Sequence, residues 1–257
     1  MRKDFGRQVN KAVIPVCNIL GVDIAAVNMD WLLDFTCRNI HQLSGDYMCV
    51  SNVHTTVMAY EDPEYRAIQN GGIMAIPDGG PLSSVGRKQG FDMMGRTTGP
   101  SYLEEILKLS EAHGWRHYFY GGTEETLAKL RIELLRDYPD LQIADMYSPP
   151  FRPLTAEEDN MVIQRINEAK PDFVWVGLGA PKQERWMAAH QGKIQGFMVG
   201  VGAAFDYLAG NIKRAPNWMQ KNNMEWLYRL MQEPRRLFKR YLKTNSKFIW
   251  YAIIRGK

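Results

Sequence analysis

The segment Ile73-Met-Ala-Ile-Pro-Asp78-Gly-Gly80 runs an apolar strand straight into Pro-Asp-Gly-Gly. Asp78 therefore stands at a strand's carboxyl end, where an α/β sheet delivers a charged side chain to its crevice on a rigid support. A carboxylate there can act as a general base. It can equally be a turn residue that caps the next helix, and spacing alone leaves both readings open. Three other strands end in glycine: Phe119-Tyr-Gly-Gly-Thr123, Val176-Gly-Leu-Gly-Ala-Pro-Lys182 and Val199-Gly-Val-Gly-Ala203. Glycine lets the backbone turn sharply and approach a phosphate, and N–H groups at a following helix start attract anions. None of the three completes G-x-G-x-x-G or the P-loop order, so each taken alone reads as a nucleotide loop or as an ordinary tight turn.

The elements that must position these residues follow from periodicity. Short apolar, β-branched runs at 19–26, 47–51, 72–76, 117–120, 141–144, 173–177 and 196–201 predict strands. Helical periods at 29–43, 55–69, 80–90, 101–112, 124–137, 156–169 and 182–190 alternate with them. That order predicts an α/β fold with a mostly parallel sheet flanked by helices, whose ligands collect at the carboxyl ends of the strands. Thr155-Ala-Glu-Glu158 reads as a capping box and Thr123 as a second N-cap, which accounts for the acidic residues behind each without a metal.

The chain has 257 residues, 45% hydrophobic and 23% charged, enough to bury one large core or two modest ones and too apolar for a disordered chain. It contains no run of 18 uncharged apolar residues, and Pro15 and Asn18 interrupt the apolar stretch 12–22, so neither a spanning helix nor a secretory signal is expected. A cytosolic location follows as an expectation. Cys17, Cys37 and Cys49 lack CxxC spacing and read as core thiols. The net charge of +4 hides an asymmetry: nine Lys and Arg against two acids give residues 225–257 a charge of +7, and the remaining 23 basic and 26 acidic residues leave 1–224 at −3. Seven aromatics stand among those nine cations. Such a segment can lie among anionic lipid headgroups, pack on the body as a solvated basic helix, or bind single-stranded nucleic acid. The acidic body and the absence of a nucleic-acid motif argue against the last.

Several strings together resemble the WecG/TagA/CpsF glycosyltransferases, glycosyltransferase family 26, from about residue 19 to 241. They are Pro77-Asp78-Gly79, Arg96 with Gly99, Val176-Gly-Leu-Gly-Ala-Pro-Lys-Gln-Glu184, Gly200-Val-Gly-Ala-Ala-Phe-Asp206, Gly210 with Lys213-Arg-Ala-Pro216, and Glu225-Trp-Leu-Tyr-Arg-Leu230 followed by Glu233-Pro-Arg-Arg236. The resemblance implies a Rossmann-like catalytic body, residues 1–210, and a C-terminal helical basic appendage, 211–257, that associates with membrane. It implies transfer of a sugar from a UDP-activated donor to a polyprenyl-diphosphate-linked acceptor at the cytoplasmic face of the bacterial inner membrane. Wall teichoic acid, common antigen, capsule or exopolysaccharide would be the product, made with inversion, without a metal and without a cofactor. The chain contains no D-x-D.

Carried onto this sequence, the resemblance makes Asp78 the base, with Arg96 and Gln183 stabilising the departing diphosphate or orienting the donor. Their unaided readings are a surface arginine and a helix-capping glutamine. Asn52 falls in the donor pocket. Gly79, Gly179, Lys182, Glu184, Asp206 and Arg214 lie in matched strings and are expected to bind substrate. Arg229, Arg235, Arg236 and Arg240 of the appendage are expected to grip the acceptor's diphosphate, with Arg229 and Arg236 favoured. The family more often has Thr two positions before Asn52, where this chain has Val50, so Thr55 or Thr56 is left to supply that hydroxyl or none does. His54 has no role in the motif and reads as a helix-start residue. The donor sugar, the acceptor and the oligomeric state, a homo-oligomer included, stay open. A dinucleotide-dependent oxidoreductase and a non-catalytic membrane scaffold are the rival readings.

Overall fold

The computed structural model describes residues 9–254. Eight strands form one sheet: β1 (Val16–Ile19), β2 (Val22–Ala25), β3 (Tyr47–Ser51), β4 (Met74–Pro77), β5 (Arg116–Gly121), β6 (Gln142–Tyr147), β7 (Phe173–Gly177) and β8 (Phe197–Gly200). Their spatial order is β1-β2-β4-β3-β8-β7-β5-β6. Only β1 and β2 pair antiparallel. The α-helices of the body are α1 (Met29–Asn39), α2 (Val53–Glu61), α3 (Pro63–Gly71), α4 (Gly80–Lys88), α5 (Gly99–His113), α6 (Glu124–Asp137), α7 (Ala156–Glu168), α8 (Lys182–His190) and α9 (Ala204–Leu208). After Gly210 come α10 (Asn217–Lys221), α11 (Glu225–Gln232) and α12 (Pro234–Phe248), then a π-helical turn Ile249–Ile254.

The expected α/β architecture is present, with two local corrections. The single strand at 19–26 is instead a hairpin. Leu20 and Gly21 both take positive φ, 53° and 83°, which reverses the chain in two residues. The single helix at 55–69 is two, because Asp62 ends α2 and caps α3 through bonds from Glu64 N and Tyr65 N, with Pro63 in the first turn. Both expected caps form: Thr155 and Glu158 make a reciprocal box, and Thr123 accepts from Thr126 N.

Central strands are buried on both faces, as a parallel sheet requires. Along β7, Phe173 and Trp175 enter one core with Tyr102, Phe119 and Phe205, while Val174 and Val176 enter the other with Tyr118 and Met187. The first core lies under α1, α5 and α6, the second under α3, α8 and α12. Cys17 and Cys49 are buried and Cys37 is half-buried, all as free thiols.

The segment after Gly210 returns across the carboxyl edge of the sheet. Arg214 ties it to α5 through both Glu104 oxygens at 2.7 and 2.6 Å and Ser101 Oγ at 2.5 Å. α12 packs on α2. Lys247 Nζ meets Glu61 Oε1 at 2.5 Å, and the Tyr60 and Tyr251 rings lie 4.6 Å apart. Leu237 and Phe248 are buried, whereas Phe238, Leu242, Ile249 and Trp250 are exposed.

Candidate active site

The carboxyl ends of β3, β4, β5, β7 and β8 surround a cavity of about 1930 Å³ that α11 and α12 close from above. Pockets for a single small ligand run to roughly 1,000 Å³. The space therefore suits two substrates meeting end to end. Asp78 and the turns at Gly122, Gly179 and Gly202 all line it, so the expected strand-end crevice exists and Asp78 faces into it.

Asp78 is held by the ladder itself: its N–H donates to Ser51 O at 2.7 Å, and Thr97 N donates to Pro77 O at 2.9 Å just before it. Gly79 takes φ +105°, which a side chain would oppose, and so turns the chain away and leaves the carboxyl at the strand tip. Burial pushes the carboxyl from its ordinary 3.8 up to about 6, and the Glu225 charge adds to that rise. Arg96, Arg229 and a hydrogen bond from the Asn52 side chain act in the opposite direction. An Asp held near 6 still ionises at neutral pH while keeping real proton affinity, which suits a base.

Asn52 joins the site to α2. Its Oδ1 accepts from His54 N at 3.0 Å and Thr55 N at 3.2 Å, capping the helix, while its amide steadies Asp78. Neither threonine offers a hydroxyl in place of the one lost at Val50. Thr55 Oγ1 bonds the Asn52 backbone N–H and carbonyl, and Thr56 Oγ1 donates to the Asn52 carbonyl at 2.8 Å.

Gln183 lines the cavity from the first turn of α8, the expected place. Its Oε1 accepts the N–H of Gly179 and of Gly202, each at 3.1 Å, and its Nε2 donates to Glu184 Oε1 at 2.8 Å. It clamps the turns after β7 and β8 together. Gly200 leaves room for this, since a Cβ there would stand 3.0 Å from Gln183 Nε2 and push against Met187 Cε at 2.8 Å. Glu184, expected to bind substrate, is fully buried and serves as the clamp's support; burial raises its carboxyl. Gly79, Gly179, Lys182, Glu184 and Asp206 all line the cavity, Lys182 from its exposed rim.

The arginines divide. Arg96 lines the cavity, yet its guanidinium is paired with the Glu225 carboxylate of α11, and the two side chains are only 20% and 17% exposed. Arg214, expected at a substrate, lies outside the cavity lining because Glu104 and Ser101 hold it against α5. Arg229 and Arg240 line the cavity. Arg235 is exposed and stands outside that lining, on a part of α12 turned to solvent. The side chain of Arg236 lies outside the described residues, as do Arg255 and Lys257.

Four site residues, Glu225, Tyr207, His54 and Trp186, were given no role by the motif reading. Glu225 and Arg229 sit one helical turn apart, and that spacing in Glu-Trp-Leu-Tyr-Arg-Leu was a usable signal for a shared face. Tyr207 lies beneath Arg229, with the guanidinium carbon 5.8 Å from the ring centre, and nothing in the sequence announced it. His54 and Trp186 also line the cavity, each with a buried ring nitrogen lacking a hydrogen-bond partner. No group of three or more His, Cys, Asp or Glu arranged to hold a metal occurs among the described residues.

Comparison with known proteins agrees with this geometry. The model of the glycosyl transferase WecG/TagA/CpsF family matches residues 17–257. A Bacillus spizizenii protein named N-acetylglucosaminyldiphosphoundecaprenol N-acetyl-beta-D-mannosaminyltransferase is 29% identical over 198 residues, covering 77% of this chain and 75% of the relative. A Staphylococcus aureus MW2 protein of the same name is 27% identical over 246 residues, covering 93% and 92%. With the family model spanning nearly the whole chain, the protein belongs to the WecG/TagA/CpsF family and is a glycosyltransferase.

Proposed function

We propose that the chain moves a sugar from a UDP-sugar to a polyprenyl-diphosphate-linked sugar, with inversion and without a metal, in the assembly of a bacterial cell-surface polysaccharide. The relatives named above act on N-acetylglucosaminyldiphosphoundecaprenol, and an N-acetylmannosamine donor is the first to try here. The observation that carries this reading is the Asp78 carboxyl, raised to about 6, at the floor of a cavity whose roof brings Arg229 and Arg240.

In the step, the acceptor oxygen bonds to the anomeric carbon as the bond from that carbon to UDP breaks. Asp78 takes the hydroxyl proton, and the electron pair leaves on the diphosphate. Fixed donors must then meet that charge. The Gly177–Ala180 and Gly200–Ala203 turns, held in register by Gln183, shape the donor side. Asp206 and Lys182 stand within its reach. Arg96 meets Glu225 through one nitrogen and has further N–H groups for the diphosphate.

Residues 211–257 act as an appendage that completes the site and rests on the cytoplasmic leaflet. No helix among the described residues is long and apolar enough to cross a membrane. The exposed Phe238, Leu242, Ile249 and Trp250 supply apolar contact, and each nearby Lys or Arg adds about 1 kcal/mol on anionic lipid.

Incubating the full chain with a panel of UDP-sugars and a short-chain polyprenyl-diphosphate acceptor tests the reading; a lipid-linked disaccharide and free UDP are expected. Stabilisation against heat by NAD but not by UDP, with no transfer from any donor, would refute it.

A further inference from the structure

Buried polar atoms almost always have partners, so an orphaned nitrogen on a residue that lines a cavity calls for an explanation, and a ligand reached when substrate binds supplies one. His54 Nδ1 and Arg240 Nε are two such atoms, and both residues line the cavity where α2 meets α12. They are neighbours electrostatically: after burial, the Arg240 charge is the cause that holds the His54 imidazole below its ordinary 6.5. The ring is thus neutral at physiological pH and offers an uncharged N–H beside a guanidinium. Its backbone N–H is already taken by the Asn52 cap, which leaves the ring as what His54 brings to the site.

A cation with an adjacent neutral donor suits a phosphate group. Two diphosphates enter this reaction, and the surroundings separate them. Val53, Phe248, Ile249 and Ala252 line the cavity beside His54 and Arg240. Ile249 is also 48% exposed, and Trp250 and Ile254 continue the apolar surface outward at 50% and 63%. An apolar path from an anion seat to an apolar exterior matches a prenyl chain. A nucleoside has nothing to fill it.

We propose that His54 is a ligand of the lipid-linked acceptor's diphosphate, sharing it with Arg240, and that the first isoprene units leave along Val53, Ile249 and Ala252. This rests on the transferase reading above. It makes His54 a binding residue for the acceptor alone, distinct from the donor pocket framed by the glycine turns.

The test measures equilibrium binding of farnesyl diphosphate and of UDP to the full chain, then transfer kinetics with a farnesyl-diphosphate-linked sugar. For His54→Ala and His54→Gln, farnesyl diphosphate affinity is expected to fall about 10- to 100-fold, with UDP affinity unchanged, the range of a lost hydrogen bond to a charged group. The acceptor KM should rise in step while the donor KM holds. Ala252→Asn, which adds polarity without charge, should weaken farnesyl diphosphate and leave methyl diphosphate unaffected. Equal weakening of UDP would place His54 at the donor and overturn the proposal, as would unchanged binding of both ligands. If farnesyl diphosphate binds through His54 but no UDP-sugar reacts, the seat stands and the transferase reading falls. A His54→Gln melting temperature equal to wild type separates lost contact from lost fold.

Discussion

The Arg96 guanidinium is hydrogen-bonded to the carboxylate of Glu225, joining the loop behind the catalytic strand to the first long helix of the tail. Glu225 also lies near Arg214, with Oε1 3.7 Å from its Nε, and its charge lifts the Asp78 carboxyl. One acidic side chain thus docks the tail, pairs with an arginine expected at the diphosphate and raises the carboxyl proposed as the base.

Glu225→Gln should move the acid limb of the rate profile to lower pH. Asp78 must be ionised to accept a proton, so activity is lost as pH falls through its value near 6. Removing the neighbouring negative charge favours the ionised form, and Arg96 continues to act in the same direction. Rates measured from pH 5 to 8 decide it: an unchanged limb, or one moved upward, contradicts the assigned coupling.

Arg229→Ala should do the reverse. Its charge lowers the Asp78 carboxyl, so its loss moves the acid limb to higher pH and cuts turnover at neutrality. Arg235→Ala, by contrast, changes a solvent-facing side chain and should leave turnover on a water-soluble acceptor within about twofold, a surface effect of less than about 0.5 kcal/mol. Steady-state kinetics of the pair at pH 7.5 separate the two positions.

Gln183→Leu should weaken the donor site through its loops. The N–H groups of Gly179 and Gly202 lose their shared acceptor, and Glu184 loses a donor. Each orphaned group costs about 1–3 kcal/mol, so the melting temperature should fall and the UDP-sugar KM should rise more than the acceptor KM. A variant with wild-type stability and a selective fall in kcat would instead mark Gln183 as a direct ligand of the leaving group.

Much of this arrangement was legible in the sequence, and for physical reasons. The strand at 47–51 and the helices at 124–137 and 182–190 have the predicted bounds because apolar period, caps and turn residues agree there. Asp78 was placeable because a strand followed by Pro-Asp-Gly-Gly has one end at which the carboxyl can emerge. The hairpin at Leu20-Gly21 was not, since its turn needs Leu20 at positive φ, a cost that only pairing across β1 and β2 offsets. The clamp that Gln183 and Glu184 make was not legible, because a bond between two loops depends on both loops being folded. Arg214 and Glu104, 110 residues apart, show the same limit: matched strings mark positions, while partners are decided by the fold.

Leu242→Ser with Trp250→Ser should reduce attachment to vesicles. Both side chains are exposed, 62% and 50%, so their removal exposes no core and the melting temperature should hold. Cosedimentation with phosphatidylglycerol vesicles should weaken at 0.15 M salt, and transfer to a water-soluble acceptor should persist. Undiminished vesicle binding would locate the membrane contact elsewhere.

Transfer by Asp78→Asn, measured beside its thermal melt at pH 7, addresses the central claim most directly. A carboxyl held near 6 rather than 3.8 binds its proton more tightly folded than unfolded, so stability declines as pH rises through that window, by at most about 3 kcal/mol. The amide carries no such cost. The account predicts a melting temperature equal to or above wild type together with a rate about 100- to 10,000-fold lower. A well-folded variant that transfers sugar at the wild-type rate would contradict it.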